Sequence, residues 1–175
     1  FSDDRKISKF IIIALKDNHI SYELAHRCRN SIRHHHSETE IIFFDAFDGT
    51  KNDGVIHCDG LEEYLKLIKV PNNIYSTSQI ACFMSHFALW MECILINKPI
   101  VILEHDAVCV KEIREHKFYN CIQFLGCKEQ VEGSLRVDTI PPHASIYGGH
   151  WRSLCRAHAY AIDPPAARML VARAI

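Results

Sequence analysis

The sequence predicts an α/β domain with a mostly parallel sheet flanked by helices, and three observations predict it. Short, dense apolar runs recur at Lys9–Leu15 (KFIIIAL), Glu40–Phe47 (EIIFFDAF) and Pro99–Leu103 (PIVIL). Runs of this kind read as strands buried on both faces, as in parallel sheets. Segments of helical period separate them, and the short links favour parallel pairing through right-handed crossovers. Finally, the 175 residues suffice for one domain with a real core.

The elements follow in order. Lys9–Leu15 is the first strand. A helix follows from Ser21 to about His34, with Ser21 as N-cap and Leu24, Cys28 and Ile32 on one face. Glu40–Phe47 is the second strand, and Asp48-Gly49 supplies the turn that ends it. Residues 50–60 are polar and glycine-containing, hence a loop, and Leu61–Ile68 is a short amphipathic helix stopped before Pro71. The longest helix runs from Thr77 or Ser78 to Ile96. Ile80, Phe83, Met84, Phe87, Met91 and Ile94-Leu95 recur at helical spacing, and Ser76-Thr77-Ser78 offer capping oxygens. The third strand comes next. Cys121–Leu125 and Ser134–Ile140 read as further strands, Pro141–Trp151 as a loop, and His158–Ile162 as the last strand. Asp163-Pro164-Pro165 opens a final helix with Asp at the cap and Pro in the first turn. That helix is still running at Ile175, so the chain is expected to stop before the domain does.

Composition narrows the function. A formal charge of −1 excludes a basic nucleic-acid face or a polybasic membrane segment. No apolar run is expected to approach the span of a bilayer, and no signal peptide is visible. The eight cysteines form no C-x-x-C pair, and several fall inside apolar elements. They read as buried, reduced thiols in a reducing, cytoplasmic compartment. His34-His35-His36 close a helix, where cationic or polar side chains suit the dipole, and are expected to be solvated. Zinc-hydrolase spacing such as H-E-x-x-H is absent.

The chemistry concentrates at the end of the third strand, Pro99-Ile100-Val101-Ile102-Leu103-Glu104-His105-Asp106-Ala107-Val108. Charges deep inside such a strand would cost desolvation that nothing repays. At its carboxyl end they are tolerated, because open α/β sheets bind ligands there. While the backbone stays extended, Glu104 and Asp106 point to one side and can share a divalent cation.

Ser78-Gln79-Ile80-Ala81-Cys82-Phe83-Met84-Ser85-His86-Phe87-Ala88-Leu89-Trp90 resembles the E-I-G-C-x-x-S-H-x-x-x-W helix of glycosyltransferase family 25. That family holds lipooligosaccharide and collagen galactosyltransferases. Lys98–Val108 resembles its following strand, which carries L-E-D-D. Phe10–Leu15 resembles the opening strand and Phe47-Asp48-Gly49 the short V-D-G turn. Ala159-Tyr160-Ala161-Ile162 with Ala166-Ala167-Arg168-Met169-Leu170 resembles the late A-Y-x-I-S-x-x-G-A-x-K-L-L segment, so nearly the whole chain is covered in order.

The resemblance implies a single GT-A-like domain with a nucleotide-sugar site at the carboxyl ends of its strands. It implies a metal-dependent, inverting transfer of a hexose, galactose above all, from a UDP-sugar to a saccharide or glycoprotein acceptor. Mn²⁺ or Mg²⁺ would be held by Asp106 and Glu104, consistent with the preference of hard cations for oxygen. Glu104, Asp106, Asp48 and His86 would form the donor site. No residue is assigned as catalytic base. Trp90 is read as core packing, and His150 and His158 as remote candidates for the metal sphere. Two departures stand out. His105 replaces the middle Asp of the acidic motif, and Ala14-Leu15-Lys16-Asp17 stands where the family has Asn-Leu-x-Arg, with Lys16 or Asp17 as replacements near the nucleotide. These departures, with the expected missing end after the final helix, keep a second reading open: a non-catalytic domain of the same fold that binds a nucleotide, a sugar or a partner.

Overall fold

The computed structural model describes residues 6–51, 57–58, 60–68, 75–113, 121–125, 135–136 and 158–175. Within them run β1 (Lys9–Ala14), α1 (His19–His35), β2 (Glu40–Asp45), α2 (Glu62–Leu67), α3 (Thr77–Ile96), β3 (Ile100–Glu104), β4 (Cys121–Phe124), β5 (Leu135–Arg136), β6 (Ala159–Ile162) and α4 (Pro164–Ala174). The sheet order is β2-β1-β3-β6-β4-β5. β1 pairs in parallel with β2 and β3, whereas β6 is antiparallel to β3 and β4, and β5 is antiparallel to β4. Four strands therefore point one way, and the parallel block β2-β1-β3 sets a common carboxyl edge.

Period-two alternation divides the core by face. Phe10, Ile12, Ala14, Val101 and Leu103 pack towards Ala25, Cys28 and Ile32 of α1. Ile11, Ile13, Ile100, Ile102 and Ile162 pack towards Leu89 and Cys93 of α3 and Ala166 and Ala167 of α4. A smaller core of Met84, Phe87 and Cys58 seats α2 against the outer side of α3.

Several boundaries differ from the sequence expectation for identifiable reasons. The cap of α1 is Asn18, whose Oδ1 accepts the Ser21 N–H at 3.0 Å, so the helix starts a turn earlier. Ser21 is instead buried and accepts the Leu15 N–H at 3.0 Å, closing the β1–α1 link. His36 is not solvated: it is buried, its ring lies 4.7 Å from that of Phe10, and its Nε2 accepts the Ile113 N–H at 2.9 Å. A histidine there anchors the segment that follows β3. The strand expected over Ser134–Ile140 is seen as Leu135–Arg136, and residues 137–157 lie outside the described ones, with the expected Pro141–Trp151 loop and His150 among them.

One expectation needs correction. α3 spans 20 residues and is long and apolar enough to cross a membrane by length and composition. Its apolarity has a packing cause: Ala81, Met84, Phe87, Leu89 and Cys93 are buried against the sheet, α2 and α4. Both ends of the helix are closed within the fold. Ser76 and Gln79 form a capping box, and Asn97 ends the helix in the left-handed region (φ 52°).

The thiols divide. Cys28 and Cys93 are free, buried, and pushed up to about 12 by burial, which makes them inert small hydrophobes. Cys58 is buried too, while Cys82 is free and exposed.

Candidate functional site

The alternation along β3 decides where its charge goes. Ile100 and Ile102 face α3 and α4, so Glu104 faces the same way as the last residue of the strand. There the backbone turns. The Ala107 N–H returns to the Glu104 carbonyl at 3.1 Å, and His105 and Asp106 occupy the turn. The extended geometry that would align Glu104 with Asp106 therefore ends at Glu104. Asp106 is exposed, and its carbonyl accepts Nη2 of Arg27 on α1 at 3.1 Å.

Above Glu104 lies α3. Ser85 and His86, adjacent on its buried face, hold the exits of two strands. Ser85 Oγ accepts the Phe47 N–H at 3.0 Å and donates to the Ala81 carbonyl at 2.9 Å, fixing the loop after β2. His86 Nε2 stands 3.6 Å from Glu104 Oε1 at the exit of β3. On its other side His86 Nδ1 lies 2.9 Å from Tyr160 Oη, with the two rings stacked. Trp90, a turn further along α3, donates Nε1–H to the same oxygen at 3.0 Å. Tyr160 arrives by register: β6 places it opposite Ile102, two residues short of Glu104.

The electrostatics follow from this packing. Burial works against a charge on His86, but hydrogen bonds to Cys82 and Glu104 outweigh it and raise its pKa from 6.5 to about 9. The same contact with His86 holds the Glu104 carboxyl below its ordinary range despite partial burial. Burial drives the Tyr160 phenol upward, so it stays protonated and available to hydrogen-bond. The result is an ionised carboxylate and an imidazolium at the carboxyl edge of the parallel strands. Cys82 brings its thiol to the same place, and donor atoms of Cys82, His86 and Glu104 all lie within 4.8 Å of one another.

The remaining expected residues sit nearby in the chain but make different contacts. Asp48 Oδ1 accepts the Thr50 N–H at 2.9 Å and its hydroxyl at 2.6 Å, and these bonds hold its carboxyl low. Lys51 reaches Asp17 and, at 3.7 Å, Asp48, tying the loops after β1 and β2 together. The Lys16 N–H is taken by Asp45 Oδ1 at 3.1 Å. No described contact joins Asp48 or Asp17 to the Glu104 cluster. His158 contributes its carbonyl, which accepts the Glu104 N–H at 2.8 Å. Trp90 packs edge-on to Phe83, in the interior role expected of it.

The sequence reading missed Cys82 and Tyr160 as site residues. Cys82 was legible as an i, i+4 partner of His86 on a predicted helix. Tyr160 was not, because only the sheet register carries it to β3. A family model described as "Glycosyltransferase family 25 (LPS biosynthesis protein)" matches residues 7–174. No curated protein matches the chain.

Proposed function

The chain belongs to glycosyltransferase family 25, a family of lipopolysaccharide biosynthesis, and from that premise we propose a metal-dependent, inverting transfer of a hexose from a UDP-sugar. Galactose is the favoured hexose and a saccharide or glycoprotein the acceptor. The observation that carries the reading is Glu104, kept ionised by His86 at the carboxyl edge of the parallel strands. A GT-A-type donor site belongs at that edge, where ligands of open α/β sheets bind.

Hard cations want oxygen ligands, and the end of β3 offers two carboxylates of unequal character. Asp106 is exposed and is the ligand proposed for Mn²⁺ or Mg²⁺; Glu104, half-buried against His86, supports it or meets the donor's ribose. When bound, the cation neutralises charge developing on the departing diphosphate. The chain's own task is positioning. Ser85 and Thr77 fix the loop carrying Asp48, and Arg27 holds the turn carrying Asp106. In the transfer the acceptor oxygen bonds to the anomeric carbon as the bond to UDP breaks, and the acceptor proton passes to a base outside the residues assigned here. A reducing, cytoplasmic setting suits the buried free thiols.

Calorimetric titration of UDP tests the reading. Binding in Mn²⁺, lost in EDTA and lost in Asp106→Ala, is the expected result. A folded chain that binds no UDP under either condition would favour the non-catalytic reading, which the turn at His105 supports by taking Asp106 off the strand.

A further inference from the structure

Cys82 and His86 are four residues apart on α3 and therefore share a helix face. Glu104 meets that face from the end of β3. We propose that Cys82, His86 and Glu104 form a site for a thiophilic divalent cation, Zn²⁺ by its chemistry, with the fourth position open to solvent. The inference rests on the geometry of this triad and not on the UDP-sugar reading, with which it shares Glu104 and His86. It concerns a different cation from the one assigned to Asp106.

The donor set makes the choice of ion. One sulfur, one imidazole nitrogen and one carboxylate oxygen suit Zn²⁺, whereas Mn²⁺ and Mg²⁺ prefer oxygen alone. Metal–ligand bonds of about 2.0–2.3 Å put tetrahedral ligands roughly 3.3–3.8 Å apart. His86 Nε2 and Glu104 Oε1 already stand at 3.6 Å, and all three donors fall within 4.8 Å. The third donor, Cys82, stands on the exposed side of the cluster.

Outer contacts hold the ligands as metal sites require. Tyr160 Oη engages His86 Nδ1 at 2.9 Å, leaving Nε2 towards Glu104, where the ion would displace the imidazolium proton as it displaces that of the Cys82 thiol, and Trp90 holds Tyr160 in turn. Ring stacking on Tyr160 keeps the imidazole from swinging away. Glu104 is anchored through its own N–H to the His158 carbonyl. The ion enters from the Cys82 side, because His86 is buried and Glu104 half-buried. Three protein ligands with solvent at the fourth position is the arrangement of an exchangeable zinc site rather than a closed structural one.

Titration of the reduced, metal-free chain with Co²⁺ tests the proposal. The expected result is saturation at one ion per chain, with a thiolate-to-cobalt charge-transfer band that Zn²⁺ bleaches on displacement. Cys82→Ser should abolish the band. Glu104→Gln should weaken binding at least about tenfold, and Tyr160→Phe should weaken it by about as much through the loosened imidazole. Asp106→Ala should leave Co²⁺ binding unchanged while abolishing Mn²⁺-dependent UDP binding, so the two proposals fail separately. Cys82 is exposed, so its serine variant keeps the fold and decides the matter by itself. A folded chain without the band, or a band that survives in Cys82→Ser, would overturn the site.

Discussion

His86 is where the packing of this chain and its chemistry meet. The residue sits under α3 in a position that a core residue could fill, yet its two nitrogens are committed to Tyr160 and Glu104. Its folded pKa is raised from 6.5 to about 9, with burial opposing the shift and Cys82 and Glu104 prevailing. A raised histidine contributes stability that is complete below its unfolded pKa and is lost as pH rises through the folded one. Glu104, depressed by His86, contributes in the opposite sense, with stability present above its ordinary pKa of 4.5 and lost on acidification. The pair therefore stabilises most between these limits. Wild type should exceed His86→Gln by about 3 kcal/mol more at about pH 6 than at about pH 10. Urea unfolding of both proteins at the two pH values measures this, and a gap that does not change with pH would deny the ion pair its role. Part of this site was legible in the sequence. A strand ending in carboxylates placed Glu104 at the carboxyl edge of the parallel strands, and the Ser85-His86 dipeptide marked the helix above it. Asp106 was misaligned, because period-two reasoning holds only while the backbone is extended and the turn begins one residue after Glu104.

The elements were read most surely where local chemistry is strong. α3 begins and ends as its periodicity and serine caps predict, and Asp163 caps α4 by accepting the Ala166 N–H at 3.0 Å. Reading failed where two local signals competed. Asn18 and Ser21 are both good caps, and the choice depended on which of them β1 needed to close its own link. The loop after β2 shows a constraint that sequence marks only as a glycine. Gly49 lies so close to the first turn of α3 that a Cβ there would stand 2.6 Å from the Ser78 nitrogen and closer still to the Thr77 carbonyl. Those are backbone atoms of a capped helix and cannot step aside cheaply. Thr77 Oγ1 also donates to the Gly49 carbonyl at 2.7 Å, so the loop and the helix would part together. Gly49→Ala should therefore cost more than about 2 kcal/mol in chemical denaturation, well above an ordinary surface substitution. On the proposed reading, in which Asp48 belongs to the donor site, it should also weaken UDP binding by displacing Asp48. A variant as stable as wild type would show that this approach is looser than it looks.

Across the whole molecule, stability is graded from the centre of the sheet outward. β1 and β3 lie side by side with parallel register, and Phe10, Ile12, Ile100, Val101 and Ile102 are fully buried between helical layers. β2 is the outer neighbour of β1, and its side chains are only partly buried. The sequence marked these strands as buried on both faces, but neither the division of the core by face nor the antiparallel entry of β6 was legible, since pairing direction is set by long-range register and not by local pattern. That entry matters for the candidate site because it delivers Tyr160 to His86 from a segment more than seventy residues away. Such a contact forms only when the sheet is complete, so the site should open with the sheet and not before it. α2 stands at the other extreme. It has six residues, none of them buried, and among the described residues it is the small core around Met84 and Phe87 that holds it against α3. Backbone amides of β1 and β3 should thus exchange with deuterium only through global unfolding, while those of α2 exchange through local opening at far lower free energy. The His86→Gln variant sharpens the test. Loss of the contact that joins α3 to the ends of β3 and β6 should speed exchange in β6 and the middle of α3 beyond what the lower global stability gives β1 and β3, and leave the locally opening α2 at its wild-type rate. Uniform acceleration along the chain would instead mean that the fold opens as one unit and that the His86 contacts add nothing local to it.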